Sequence, residues 1–94
     1  MNNIRVIENL IKEGSAKYSD DITYRIEIYT TNFCPGYGDE HDGDYEDDKY
    51  GDYYSIKYTS PGTSSGGSTV NCLRSLKDAI EHVERNNKGV KWSS

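Results

Sequence analysis

The stretch Ile22 to Thr31, ITYRIEIYTT, alternates without a break. Ile22, Tyr24, Ile26 and Ile28 fall on one side, and Thr23, Arg25, Glu27 and Tyr29 on the other. A period of two with one apolar face specifies a half-buried antiparallel strand and leaves little else open. Residues 53–59, YYSIKYT, repeat the pattern with Tyr54, Ile56 and Tyr58 inward. A third short strand, residues 69–73, TVNCL, is expected to turn Val70 and Cys72 inward.

Helical spacing frames these strands. Ile4, Ile7, Leu10 and Ile11 recur at i, i+3, i+6 and i+7, which predicts a helix over residues 3–13, capped by Asn2 or Asn3 and ended by Gly14. Residues 15–21 then read as a polar connection. Ser75 to Asp78 resembles a capping box, and Leu76, Ala79, Ile80 and Val83 make the apolar face of a second helix to about Asn86. Glu81–Arg85 and Glu84–Lys88 are spaced as outer-face ion pairs, and Gly89 suits the helix end. Val90-Lys91-Trp92 reads as a docked tail or edge strand. The expected fold is therefore α+β: a three-stranded antiparallel sheet with flanking helices in the order α-β-β-β-α.

At 94 residues the chain holds one domain, residues 1–94. Leu, Ile, Val and Phe number only 16, so the inward tyrosines Tyr24, Tyr54 and Tyr58 must help fill a thin core. No apolar run approaches the ~20 residues that a membrane span needs. The N-terminus has no signal-peptide pattern, so a cytoplasmic location is expected, and with it Cys34 and Cys72 as free thiols. A Cys34–Cys72 disulfide is expected only for an exported protein.

The net charge of −5 hides an asymmetry. Asp39 to Asp52, DEHDGDYEDDKYGD, contains Asp39, Glu40, Asp42, Asp44, Glu46, Asp47, Asp48 and Asp52 against the single base Lys49, a net of −7. The rest of the chain carries +2. This run lies in a long excursion, residues 33–52, between the first two strands, with Cys34-Pro35-Gly36-Tyr37 expected as a type II turn at its start. Tyr37, Tyr45, Tyr50, Tyr53 and Tyr54 are in or beside it, and tyrosine is enriched at binding interfaces. The candidate partner-binding residues are the eight carboxylates with Tyr45, Tyr50 and Tyr53.

Catalytic and metal chemistry find weaker support. An EF-hand register starting at Asp42 puts Asp47 where glycine is needed and Tyr53 where the bidentate glutamate belongs. Cys34, His41, Cys72 and His82 are too widely spaced for a zinc motif. The carboxylates around Cys34 disfavour a thiolate, and the Gly/Ser loop at residues 60–68 lacks the Gly-Lys-Ser/Thr of a phosphate loop. No catalytic residue, metal or cofactor is expected. An acidic pI of about 4.9 also argues against direct nucleic-acid binding.

Charge mimicry fits better. Stretched out, the acidic run spaces its carboxylates about 6 Å apart; doubled back as a hairpin, about 3 Å apart, close to the ~3.4 Å between phosphates along one DNA strand. In length, acidity, the clustered segment and the absence of catalytic motifs, the chain resembles the small acidic phage proteins that block host defence, the anti-CRISPR and anti-restriction proteins. The resemblance implies a non-enzymatic viral inhibitor acting in the host cytoplasm. Its partner would be a protein with a basic surface, such as a CRISPR effector or another nucleic-acid-binding defence complex. The alternative is a regulatory protein–protein interaction module that binds through its sheet or helix face, at residues such as Arg25, Tyr29 and Lys57.

Overall fold

A computed structural model describes residues 5–20, 22–36, 47–60 and 68–93. Among these the chain forms β1 (Glu8–Ser19), β2 (Ile22–Cys34), β3 (Lys49–Thr59), β4 (Thr69–Leu73), α1 (Leu76–Asn86) and β5 (Lys91–Trp92). The strands make one antiparallel sheet in the order β4-β3-β2-β1-β5. This overturns the expected α-β-β-β-α order with its three-stranded sheet: the fold is mostly β, with one short helix.

The error lies at the N-terminus. The spacing predicts a helix over residues 3–13 and a connection over 15–21, yet β1, Glu8–Ser19, takes in most of both and pairs along its length with β2. The described residues of that helical face are not buried: Ile7, Leu10 and Ile11 remain 52%, 44% and 41% exposed, and Ile4 lies outside the described residues. Ile11 is an extra residue where the register slips between Leu10 and Lys12, and such a bulge breaks the strict alternation that marks a strand. Among the described side-chain positions of β1 the buried ones are instead Gly14 and Ala16, small residues with little hydrophobic signature.

Their smallness has a cause. Gly14 pairs with Trp92 of β5, and a Cβ placed on it would lie 2.8 Å from the Lys91 carbonyl oxygen and 2.8 Å from Trp92 Cε3. Trp92 thus lies over β1 where a side chain would otherwise stand. Its Nε1 donates to Glu84 of α1 at 3.1 Å, and Lys12 Nζ sits 4.9 Å from its ring centroid. Gly14→Ala is expected to displace β5, cost about 1–3 kcal/mol by overpacking, and shift the emission of the chain's single tryptophan to the red. Unchanged emission and melting temperature would show that this close approach does not constrain the edge.

The other elements follow the sequence reading. Ile26, Ile28 and Ile56 are fully buried beneath Ala79 and Val83 of α1, with Tyr24, Tyr54, Tyr58, Val70 and Leu73 packed around them. Ser75 caps the helix by accepting from the Asp78 backbone N–H at 3.0 Å. On the outer face of α1 the expected Glu81–Arg85 and Glu84–Lys88 pairs are not the ones made: Glu81 reaches Lys77 at 4.0 Å, and Glu84 is engaged by Trp92. At its C-terminal end the Asn87 side chain donates to the Val83 carbonyl at 2.8 Å and to the Tyr58 hydroxyl at 3.3 Å, and accepts from the Tyr24 hydroxyl. That knot ties α1 to β2 and β3. Burial, and then the nearby Tyr24, push the Tyr58 phenol above its ordinary pKa, against the bond from Asn87.

Cys72 departs from expectation twice. Tyr54 faces Leu73 while Ile56 faces Val70, so β4 carries an extra residue opposite Ser55, and Leu73 takes the inward place expected of Cys72. Cys72 itself has φ 68°, a conformation rarely adopted by residues other than glycine. It is also not a free thiol: it forms a disulfide with Cys34. β3 lies between β2 and β4 in the sheet, yet the two Cα atoms are only 5.0 Å apart. Two bulges lie beside the bridge, Cys72 itself in β4 and Gly51–Asp52 opposite Asn32 in the β2–β3 pair. Bulges bend strands, which brings the flanking strand ends together across β3.

Candidate acidic interface

The strands intrude on the expected excursion from both sides. β2 continues to Cys34 and β3 begins at Lys49, and these two residues pair. The connection is therefore residues 35–48, not 33–52. Tyr50, Asp52 and Tyr53 belong to β3. The type II turn expected at residues 34–37 runs beyond the described residues, as do residues 61–67 of the Gly/Ser loop. Asp39, Glu40, Asp42, Asp44, Tyr45 and Glu46 also lie outside the described residues.

The described candidates collect around the mouth of the connection. Asp47 and Asp48 are exposed. The Asp48 carboxylate accepts from the Gly36 backbone N–H at 2.6 Å, so it closes the mouth as well as charging it. Charge-assisted bonds of this kind are short and strong. One step into the sheet, Phe33 and Tyr50 face each other with ring centroids 5.3 Å apart, and Tyr50 stays 49% exposed. Asp52 is exposed within the bulge. Tyr53 is half-buried, with the Arg74 guanidinium 5.5 Å above its ring. The disulfide adds a covalent tie at the same end of the sheet.

The face of the sheet away from α1 continues from this mouth. Tyr29 holds Lys57 Nζ 4.7 Å from its ring centroid, and Lys57 pairs with Glu8 at 3.1 Å. Burial and the neighbouring Glu27 carboxylate raise the Tyr29 pKa. Along β1 the exposed Leu10 stands across from Tyr29. A separate groove of about 420 Å³ opens on the helix side between Tyr24, Tyr58, Val70, His82 and Asn87. Its hydroxyl and amide groups are largely occupied by the Asn87 knot. Among the described residues no group of three potential metal ligands converges, and no helix is long and apolar enough to cross a membrane.

Sequence reasoning missed Phe33 and Arg74 as parts of this region, and it allowed the Cys34–Cys72 bridge only for an exported protein. The two cysteines flank the acidic run, and that placement was the available signal. No family model, curated protein or solved structure matches the chain.

Proposed function

We propose that the chain is a non-enzymatic inhibitory binding protein of the anti-CRISPR kind. Its acidic, tyrosine-bearing segment occupies a basic nucleic-acid-binding surface of a defence nucleoprotein. One observation carries this reading. Between the paired residues Cys34 and Lys49, the fourteen residues 35–48 hold seven carboxylates and neither lysine nor arginine. A chain of that length that leaves and returns to neighbouring strands reaches at most about 23 Å at ~3.3 Å per residue. Seven charges over that reach approach the ~3.4 Å spacing of phosphates on one strand. Opposite charge would steer the encounter and make it sensitive to salt.

The site of action in this reading is the cytoplasm of the host cell. There the Cys34–Cys72 bridge meets a reducing thiol pool.

Replacing Asp39, Asp42, Asp44 and Glu46 with Lys is expected to abolish capture of a nucleic-acid-binding effector while leaving the circular dichroism spectrum unchanged. Asp48 is spared because it also bonds the backbone. Retained, salt-independent binding by that variant would refute the reading.

A second reading, a protein–protein module that binds through its sheet, is favoured by Val6, Ile7, Leu10 and Ile11. These leave much of a scarce aliphatic complement in solvent on β1 and the residues just before it. It predicts that Leu10→Lys, rather than the acidic-segment variant, removes binding.

A further inference from the structure

The Cys34–Cys72 bridge is accessible from one side. Cys34 is 8% exposed and buried, whereas Cys72 is half-buried and borders an open groove of about 340 Å³. The groove is lined by Leu73, Arg74, Asp78, Glu81, His82 and Arg85. Exchange of a disulfide requires a thiolate to reach one of its sulfurs, so the choice of sulfur is set by access. Of the two residues, Cys72 is the more exposed and the one that borders the groove.

The walls of that groove are charged in a selective way. Arg85 and Arg74, whose guanidinium also lies over the Tyr53 ring, border the groove, and guanidinium groups bind carboxylates through paired donors. Asp78 and Glu81 offer carboxylates suited to an ammonium group. A small molecule that carries a thiol, two carboxylates and an ammonium matches this set, and a neutral thiol does not. Cys72 moreover sits at a bulge with φ 68°, where a side chain is disfavoured and the strand is not held in regular pairing.

We propose that Cys72 is a thiol–disulfide exchange site for an anionic low-molecular-weight thiol of the glutathione class, selected by the Arg74 and Arg85 groove. The thiolate attacks Cys72 Sγ. A mixed disulfide forms on Cys72, the bond to Cys34 breaks, and Cys34 leaves as a thiolate that takes a proton from water. A second thiol then attacks the sulfur of the bound small molecule. This releases the small-molecule disulfide and the Cys72 thiol. In sum two thiols are oxidised and the bridge gains two electrons and two protons; the small-molecule disulfide, as oxidant, drives the reverse. The proposal concerns the bridge alone and stands whether or not the acidic segment binds a partner.

The test uses the full oxidised chain under native conditions. Glutathione is added, the reaction is quenched with acid, and the mixed disulfide is located by peptide mass spectrometry. Rates are compared with those of neutral 2-mercaptoethanol, in the native chain at low and high salt and in the Arg74→Gln/Arg85→Gln variant. The adduct is expected on Cys72. The glutathione rate is expected to fall about tenfold in the variant and to fall with salt, while the rate with the neutral thiol holds. An adduct on Cys34, no exchange without denaturant, or equal changes for both thiols would overturn the proposal. The salt arm needs no variant, so it decides even where the substitution perturbs the fold.

Discussion

Replacing both cysteines with alanine is expected to lower the stability of the oxidised chain by up to about 4 kcal/mol, the chain-entropy value for closing a loop of this length. The bridge spans 38 residues and encloses the acidic connection, all of β3 and the Gly/Ser loop. In the unfolded chain it therefore removes a large set of conformations. At about 4–8 °C per kcal/mol for a domain of this size, the melting temperature should drop by roughly 15–30 °C. The native state has little to offset this. β4 is five residues long and pairs with β3 at Tyr54–Leu73, Ile56–Val70 and Lys57–Thr69 only. The carboxylates of the connection also repel one another near its mouth, which favours opening once the tie is cut. Urea titrations of the native chain and the double variant provide the check. The slope should rise in the variant, whose unfolded state is less compact. A difference below about 1 kcal/mol would mean that the strand ends are held by their own packing and that the bridge adds little.

The elements that could be read from the sequence are those in which one signal had one interpretation. In β2 and β3 the inward isoleucines and tyrosines alternate with polar residues, and no helix accommodates that pattern. In α1 the apolar spacing coincides with a serine cap that the structure uses. The N-terminal segment was ambiguous. Four aliphatics at helical spacing fit a helix, and the strand that forms leaves the described members of that set in solvent. Its buried contacts come from Gly14 and Ala16, which were chosen for what they leave out. A hydrophobicity pattern cannot report a position where the neighbouring Trp92 forbids a side chain.

The candidate interface divides in the same way. The acidic run was visible by counting charges, since it depends on local sequence alone. Its framework depends on partners far apart in the chain. Phe33 meets Tyr50 across a bulge, Arg74 covers Tyr53, and Cys34 reaches Cys72 over an intervening strand. Two cysteines argue for thiols only on the expectation of a reducing compartment, which a local sequence pattern does not test. The curvature that joins them arises from register slips that no local pattern displays.

Ile28→Ala tests whether the core is as thin as its composition implies. Ile28 is fully buried on β2, the middle strand of the sheet, opposite Ile56 on one side and Lys12 on the other. Removing an aliphatic side chain from such a site costs about 2–5 kcal/mol, the transfer term plus the cavity left behind. Small domains hold roughly 5–15 kcal/mol in all, and this chain belongs near the lower end because few large side chains share its core. Among the described residues the fully buried large side chains are Ile26, Ile28, Ile56 and Val83, with Ser55 beside them. The variant is thus expected to be substantially unfolded at 37 °C, with loss of near-ultraviolet circular dichroism and of tryptophan burial together. Leu10→Ala provides the contrast. Leu10 is one of the four residues of a helical face in the sequence, but it is 44% exposed on β1, and its truncation should change stability by less than about 1 kcal/mol. If the two substitutions cost the same, the N-terminal segment packs against the domain in solution. β1 would then bury the aliphatic face that its spacing suggests, and the arrangement in which Gly14 and Ala16 carry its contacts would be wrong.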